Sequence, residues 1–410
     1  MINSALNILT VDAYGESEFW LSSGKVILIF LLFGFTFITM VGGNPSGDAY
    51  GFRYYNNPGA FATWLSTGDI GRFEGFLSCL WSAAFTIVGP EYIAMVAAEA
   101  KRPRRYIKTA FLTVYWRYAI FFAGGAICVS IVVPYNDERL QNIIAGTAPS
   151  GDAAASPYVI AMENLGIGVL PHVVNALLCT SIFSAGLTYT YCATRSLYSL
   201  ALEGRAPKVL RRCTKRGIPI YCFAVVMCFP FLSFLELSSD AATALSWLVN
   251  IITAGGLVTY IIVAITFIFY HRACQAQNFD RTKLPYYGRF QPYCAWISLC
   301  FEGVVIVFFG YASFRPWNIS SFFSNYVMVI IAPCLFIFWK FFKGTKFIKP
   351  EKADLVFQAP VIDAYEASLL GSPTGFWTEV VQIFGFKRDQ LDNKGFRSNS
   401  GTEVAAVGAV

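Results

Sequence analysis

Ala83-Ala84-Phe85-Thr86-Ile87-Val88-Gly89-Pro90-Glu91-Tyr92 sets a helix-breaking Gly-Pro pair and a carboxylate inside an otherwise apolar segment of membrane length. Hydrocarbon offers no water to unpaired backbone groups, so a break there survives only where protein or a water-filled cavity surrounds it. An ionisable side chain at that depth points to a functional site. Two readings stand. One is a discontinuous transmembrane helix whose freed backbone groups hold a substrate near the membrane centre. The other is a proline kink in a structural helix, with Glu91 close to the interface.

Working outward from this stretch, the whole chain is of the same character. Of 410 residues 56% are hydrophobic, 17% aromatic and only 14% charged, which excludes an ordinary soluble globular domain. Stretches of about 20 apolar residues predict eight spans, near residues 19–41, 75–98, 110–134, 171–200, 219–239, 243–270, 293–314 and 322–343. The fold class is therefore all-α and polytopic.

Basic residues gather after alternate spans. Lys101, Arg102, Arg104, Arg105 and Lys108 follow the second, and Arg205, Lys208, Arg211, Arg212, Lys215 and Arg216 follow the fourth. Arg272, Arg281, Lys283 and Arg289 follow the sixth, and Lys340, Lys343, Lys346, Lys349 and Lys352 close the eighth. The opposite loops hold only Arg53, Arg72, Arg139 and Arg315, mostly beside acids such as Asp48, Asp69, Asp137 and Glu138. Lys and Arg resist translocation, so the basic loops are expected in the cytoplasm with both termini. The net charge of +6 is read as this topology signal and not as nucleic-acid binding.

The boundaries drawn are a lead-in over 1–18, a transmembrane domain over 19–344 and a cytoplasmic tail over 345–410, the tail being a place for regulatory proteins to bind. The start carries no basic leader pattern. The 11 cysteines are scattered without a C-x-x-C pair, and His172 and His271 are the only histidines. No cofactor and no metal is expected, and no nucleophile–base set suggests an enzyme. Residues 42–74 form an outer loop that either folds over a vestibule or is a plain connection. Asn318-Ile319-Ser320 fits the glycosylation pattern, but it lies so near two spans that an unmodified site is expected.

Further motifs resemble a known family. Tyr14-Gly15-Glu16-Ser17-Glu18-Phe19-Trp20 with Lys25-Val26-Ile27, Gly89-Pro90-Glu91-Tyr92, Ala97-Ala98-Glu99-Ala100 before Arg102-Pro103-Arg104-Arg105, and Val133-Pro134-Tyr135-Asn136-Asp137 are similar, in order and spacing, to the fungal amino acid permeases. These belong to the amino acid–polyamine–organocation superfamily, and the similarity runs from about residue 10 to about residue 370. It implies a LeuT-type inverted-repeat fold and proton-coupled amino acid uptake by alternating access at the plasma membrane. Family members have twelve spans, and the eight here correspond to the fifth to twelfth. A partial fold and an N-terminally truncated form are thus expected, lacking the first family helix that meets the substrate carboxylate.

The resemblance also implies roles for individual residues. In the sixth family helix, carbonyls freed around Thr86, Ile87 and Val88 would accept a substrate ammonium, and Gly89 would let the chain pass closely by the ligand. Glu91 is read as a proton carrier or as a partner of the ammonium, against a carboxylate that simply bonds the helix break. Lys25 is read as a proton-coupling amine where sodium-coupled relatives hold a cation, against a lysine that snorkels to the interface. Phe85 and Trp81 are aromatic gates or core residues; Ser181, Ser184, Thr188, Trp247 and Asn250 are candidates to line the cavity. Glu99 with Arg102, Arg104 and Arg105 is an inner gate or a static ion cluster. The expected partners are an amino acid, protons and the lipid bilayer. Pro90 stands where many relatives carry a small hydroxyl residue, which leaves a polyamine or carnitine permease as an alternative; a receptor of the same fold is another.

Overall fold

The computed structural model describes residue 7 and residues 11–87, 89–97, 100, 102–144, 156–214, 217–237, 241–314 and 316–369. Among them helices dominate, and the sole strand-like pairing is an isolated bridge between Phe314 and Trp317. The helices used below are α1 (Val11–Met40), α2 (Gly68–Ile87), α3 (Tyr92–Met95), α4 (Pro103–Arg117), α5 (Gly124–Val132), α6 (Glu138–Ile144), α7 (Pro157–Asn164) and α8 (Leu170–Leu202). They continue with α9 (Ile220–Val226), α10 (Ala241–Ala276), α11 (Tyr293–Phe308), α12 (Ile319–Lys343) and α13 (Ala359–Ser368).

Among the described residues, seven segments are long and apolar enough to cross a membrane: Tyr14–Met40, Gly68–Met95, Pro103–Val132, Leu170–Leu202, Trp247–Ala276, Tyr293–Ser313 and Ile319–Lys343. The chain is an all-α polytopic membrane protein. The fifth of the eight expected spans, 219–239, differs. It begins as the short α9 and passes into a 3-10 turn over Phe229–Leu237. Pro230 lies in that turn, where its missing N–H and its ring prevent a regular α-helix from continuing. The first span also starts earlier than expected, because α1 is already helical at Val11 rather than at 19.

Local chemistry sets several helix ends. The Asn318 side chain accepts the Ser321 N–H at 3.0 Å and so caps α12, whose far end stops at Gly344 with φ +59°. That cap places the Asn318 side chain, the possible glycan acceptor, in a structural bond. Asp137 accepts the N–H groups of Arg139 and Leu140 at the start of α6, while its other oxygen takes the Asn164 amide from α7.

Among the described residues, the buried side chains fall into two principal groups. Leu28, Leu32 and Phe35 of α1 recur at helical spacing and pack against Val132 and Val133 at the end of α5, Tyr158 to Met162 of α7 and Val174 of α8. Trp81 and Ala84 of α2 pack with Ala254 and Leu257 of α10 and with Val305 and Ile306 of α11. A smaller cluster of Tyr14, Leu187, Tyr191 and Cys192 draws in Tyr92, Met95 and Val96 around α3. The segment 88–91 therefore joins a helix of the second group to a short helix seated on α1 and α8.

By contacts the chain divides into two compact units, Met1–Phe269 with Thr282–Phe347, and Tyr270–Arg281 with Ile348–Val410. In the second, the Gln277 amide donates to the carbonyls of Pro350 and Ala353 at 2.8 Å each. The sites below lie in the first.

The loop over residues 42–67 is ordered by its own polar groups. Asn44 donates to the Thr39 and Asp48 carbonyls and accepts from Ser46 Oγ and the Asp48 N–H. Asp48 and Arg53 form a two-bond pair at 2.8 and 2.7 Å. Arg53 holds the Asp48 carboxyl below the usual aspartate range. Further on, the buried Glu74 of α2 accepts the Ser66 N–H at 2.9 Å, and Gly71 and Gly75 leave α2 bare where Ser66 and Ala62 lie against it. A cavity of about 520 Å³ opens between this loop and the third span, bounded by Tyr54, Tyr55, Phe121, Ser130 and Tyr158 among others. None of the expected site residues lines it.

Candidate functional site

The break that opened the sequence analysis is present: α2 ends at Ile87 and α3 starts at Tyr92. Gly89 has φ +139°, a conformation that L side chains rarely adopt. Its N–H donates to Glu91 Oε2 at 3.1 Å, with Tyr260 Oη at 3.3 Å. The Tyr260 hydroxyl from α10 donates to the same Glu91 oxygen at 2.6 Å and stands 3.3 Å from the Ile87 carbonyl. The Tyr118 hydroxyl donates to that carbonyl at 2.7 Å. Tyr118 begins a π turn, Tyr118–Ala123, between α4 and α5, a local distortion of the kind that often accompanies function in helices. Ile87 O, Gly89 N–H and the Glu91 carboxylate thus form one polar cluster, satisfied here by two tyrosines.

The other expected residues of this stretch stand apart from that cluster. Thr86 donates to the Ser82 carbonyl on its own helix at 2.8 Å, and Phe85 is exposed. Val88 lies outside the described residues, as do Glu99 and Lys101. Trp81 is buried, stacked on Phe309, and its indole N–H donates to Asn250 Oδ1 at 3.2 Å. Asn250 in turn donates to Ser324 Oγ and Asn325 Oδ1, and Asn325 donates to Ser313 Oγ. This network ties four membrane segments together. Trp247 is exposed.

A second cluster joins α1 to α8. Lys25 Nζ donates to Ser184 Oγ at 2.6 Å, and Ser184 Oγ donates to the two Glu18 oxygens at 2.8 and 2.7 Å. Lys25 Nζ and Glu18 Oε1 are 3.5 Å apart. Ser184 is wholly buried, whereas Lys25 and Glu18 retain 35% and 23% side-chain exposure. Thr188 donates to the Ser184 carbonyl one turn below. The early start of α1 matters here. Lys25 lies eleven residues beyond Tyr14, where the apolar segment begins, or roughly 16 Å at 1.5 Å per residue. The two clusters meet through the apolar group of Tyr14, Leu187, Tyr191 and Cys192, where Tyr92 packs edge-on to Tyr189.

Three participants escaped the sequence reading. Glu18 carried a signal, since residues 18, 22 and 25 fall on one helix face. Tyr118 and Tyr260 carried none, being two of 22 tyrosines whose partners lie far off in the chain.

Comparison with known proteins agrees with this architecture. The profile of the family described as "Amino acid permease" matches residues 1–352. The chain is 44% identical over 343 residues to the general amino acid permease AGP2 of Saccharomyces cerevisiae, covering 82% of this chain and 57% of that protein. It is 37% identical to the proline-specific permease of the same yeast, over 82% of this chain and 53% of that protein. With the yeast lysine-specific permease it shares 34% identity over 87% of this chain and 57% of the relative. The chain therefore spans a little over half the length of these relatives. A family match across most of the chain, joined to seven apolar segments of which one is broken, places this protein in the amino acid permease family.

Proposed function

We propose that this chain takes part in proton-coupled transport of amino acids across a membrane by alternating access. The observation that carries the reading is the Ile87 carbonyl at the helix break, held by the Tyr118 hydroxyl, within one cluster with the Glu91 carboxylate. An ammonium group has three donors and needs acceptors arranged in this way. In the proposed cycle it displaces the Tyr118 and Tyr260 hydroxyls from Ile87 and Glu91. Thr86, Val88 and Gly89 contribute backbone around it, Phe85 closes over it, and Lys25 with Ser184 couples proton movement to the change of access. The relatives bear names for general, proline, lysine and dicarboxylic amino acid permeases, and such variety supports the amino acid class rather than one member of it.

The same reading has residues 19–344 as the transmembrane part and residues 345–410 as a cytoplasmic segment open to regulatory proteins. The one-sided distribution of Lys and Arg supports cytoplasmic termini, and the plasma membrane is the proposed location. The test is binding and uptake of labelled amino acids by membranes carrying the chain, at several pH values. Wild type binds with an affinity that Glu91→Gln weakens about tenfold or more, and Lys25→Met abolishes the pH dependence of uptake. Binding without uptake would replace transport by a receptor role, and absence of binding would end the proposal.

A further inference from the structure

We infer that Glu18 is the proton acceptor for Lys25, reached through the Ser184 hydroxyl. The inference rests on the reading of Lys25 as a proton-coupling residue and adds to it the other end of the transfer. The geometry supplies the path. Lys25 Nζ donates to Ser184 Oγ at 2.6 Å, and that oxygen donates onward to Glu18 at 2.7 and 2.8 Å. The direct Lys25–Glu18 separation of 3.5 Å exceeds a normal hydrogen bond. The shorter route passes through the serine.

The step balances without any further reactant. One N–H bond of the Lys25 ammonium breaks as that proton bonds to Ser184 Oγ. The original Ser184 O–H bond breaks at the same time, and its proton forms an O–H bond on Glu18. An ammonium and a carboxylate become an amine and a carboxylic acid, and serine is unchanged. The pair has no net charge on either side of the step, which suits a membrane interior where separated charges are costly. Ser22, between the two on the same face of α1, donates to Glu18 Oε1 at 3.1 Å and fixes the carboxyl toward α8. Ser184 is wholly buried, so the middle of the link is shielded from bulk water, while Lys25 and Glu18 at its ends keep partial exposure.

Other charged or titratable groups surround the relay. From α1 comes Tyr14, stacked on Tyr191 of α8 at 4.2 Å. Also from α8 come Cys192 and Arg195, the latter over the Tyr191 ring at 5.3 Å. From the broken helix come Tyr92 and Glu91, and Cys192 is within electrostatic reach of both Glu18 and Glu91. Any pH response of Glu18 must be separated from these, above all from Glu91.

The test is infrared difference spectroscopy of the full chain in lipid nanodiscs, titrated across pH, beside a binding assay with labelled amino acids. A carboxylic-acid carbonyl band is expected to grow as pH falls, to vanish in Glu18→Gln and to persist in Glu91→Gln. Lys25→Met, which removes the proton donor, is expected to change the pH response of the band. Ser184→Ala is expected to slow hydrogen–deuterium exchange between the two groups, and Ser184→Thr to restore it. If Glu18→Gln does not fold, Glu18→Asp serves instead, and its shorter reach should move the midpoint. A band unchanged by either Glu18 variant, a pH response indifferent to Lys25→Met, or exchange indifferent to Ser184→Ala overturns the relay. Loss of amino acid binding in wild type, with the band intact, overturns the transport reading alone.

Discussion

Gly89 is the residue on which the break turns. With φ at +139°, any side chain there is strained even though nearby atoms leave room for a Cβ. Gly89→Ala is expected to cost about 1–3 kcal/mol of stability, read as a lower unfolding temperature in a thiol-dye melt of the purified protein. Tyr260→Phe removes a donor to Glu91 while keeping the ring. The expected result is a loss of roughly 1.5–3 kcal/mol, the range for a hydrogen bond to a charged group, in the same melt. At this scale the sequence was partly legible. Gly89, Pro90 and Glu91 announce themselves because each conflicts with an apolar helix, and Lys25 does so by its charge. Ser184 was one small residue among many in its helix. Tyr118 and Tyr260 could not be found, because a tyrosine in a membrane segment fits packing and bonding equally well, and only the folded chain brings them to Ile87.

Among elements, the network centred on Asn250 does for α2, α10 and α12 what loops cannot. Helix association in lipid lacks the hydrophobic drive of water and depends on packing and on polar bonds between helices. Asn250→Ala deprives the Trp81 indole, Ser324 and Asn325 of their partner. The expected cost is about 1–3 kcal/mol, checked by thermal unfolding, with Trp81 fluorescence reporting the local change. Most spans were legible from length and hydropathy alone. The fifth was not, since residues 219–239 are apolar enough, yet Pro230 within the 3-10 turn ends the α geometry. The early start of α1 was missed because Tyr14–Trp20 includes Glu16 and Glu18, which lower hydropathy. The structure shows Glu18 partnered by Ser22 and Ser184, so it no longer weighs against a helix at that depth.

For the whole molecule, the apolar exterior and the charge asymmetry act together. Helix α12 contains no buried residue, as expected for an apolar helix that meets lipid or another helix instead of water. On a cysteine-free background, a cysteine placed at Ser46 is expected to label with an impermeant maleimide from outside intact cells. One at Lys208 is expected to label only after permeabilisation, and the reverse pattern would invert the proposed orientation. The loop that holds Asp48 and Arg53 should respond to acid. Because Arg53 lowers the Asp48 carboxyl below its ordinary value of 3.8, the pair supports the loop above that pH. Its support is lost as pH falls through the lowered value. Asp48→Asn should remove this acid dependence from loop protection in hydrogen–deuterium exchange, with a modest effect at neutral pH because the pair is exposed and screened.

The two tyrosines at the break come from different camps. Tyr118 rises from the segment that ends, through α5, among the α1 side chains, and Tyr260 from α10, which packs with α2 and α11. Their hydroxyls nevertheless converge on the same few atoms around Ile87 and Glu91. They work as the two halves of a clasp, and no rotation of one helix group against the other can leave both halves fastened. Under the proposed alternating access, whatever opens that clasp sets the moment at which the two groups are free to part.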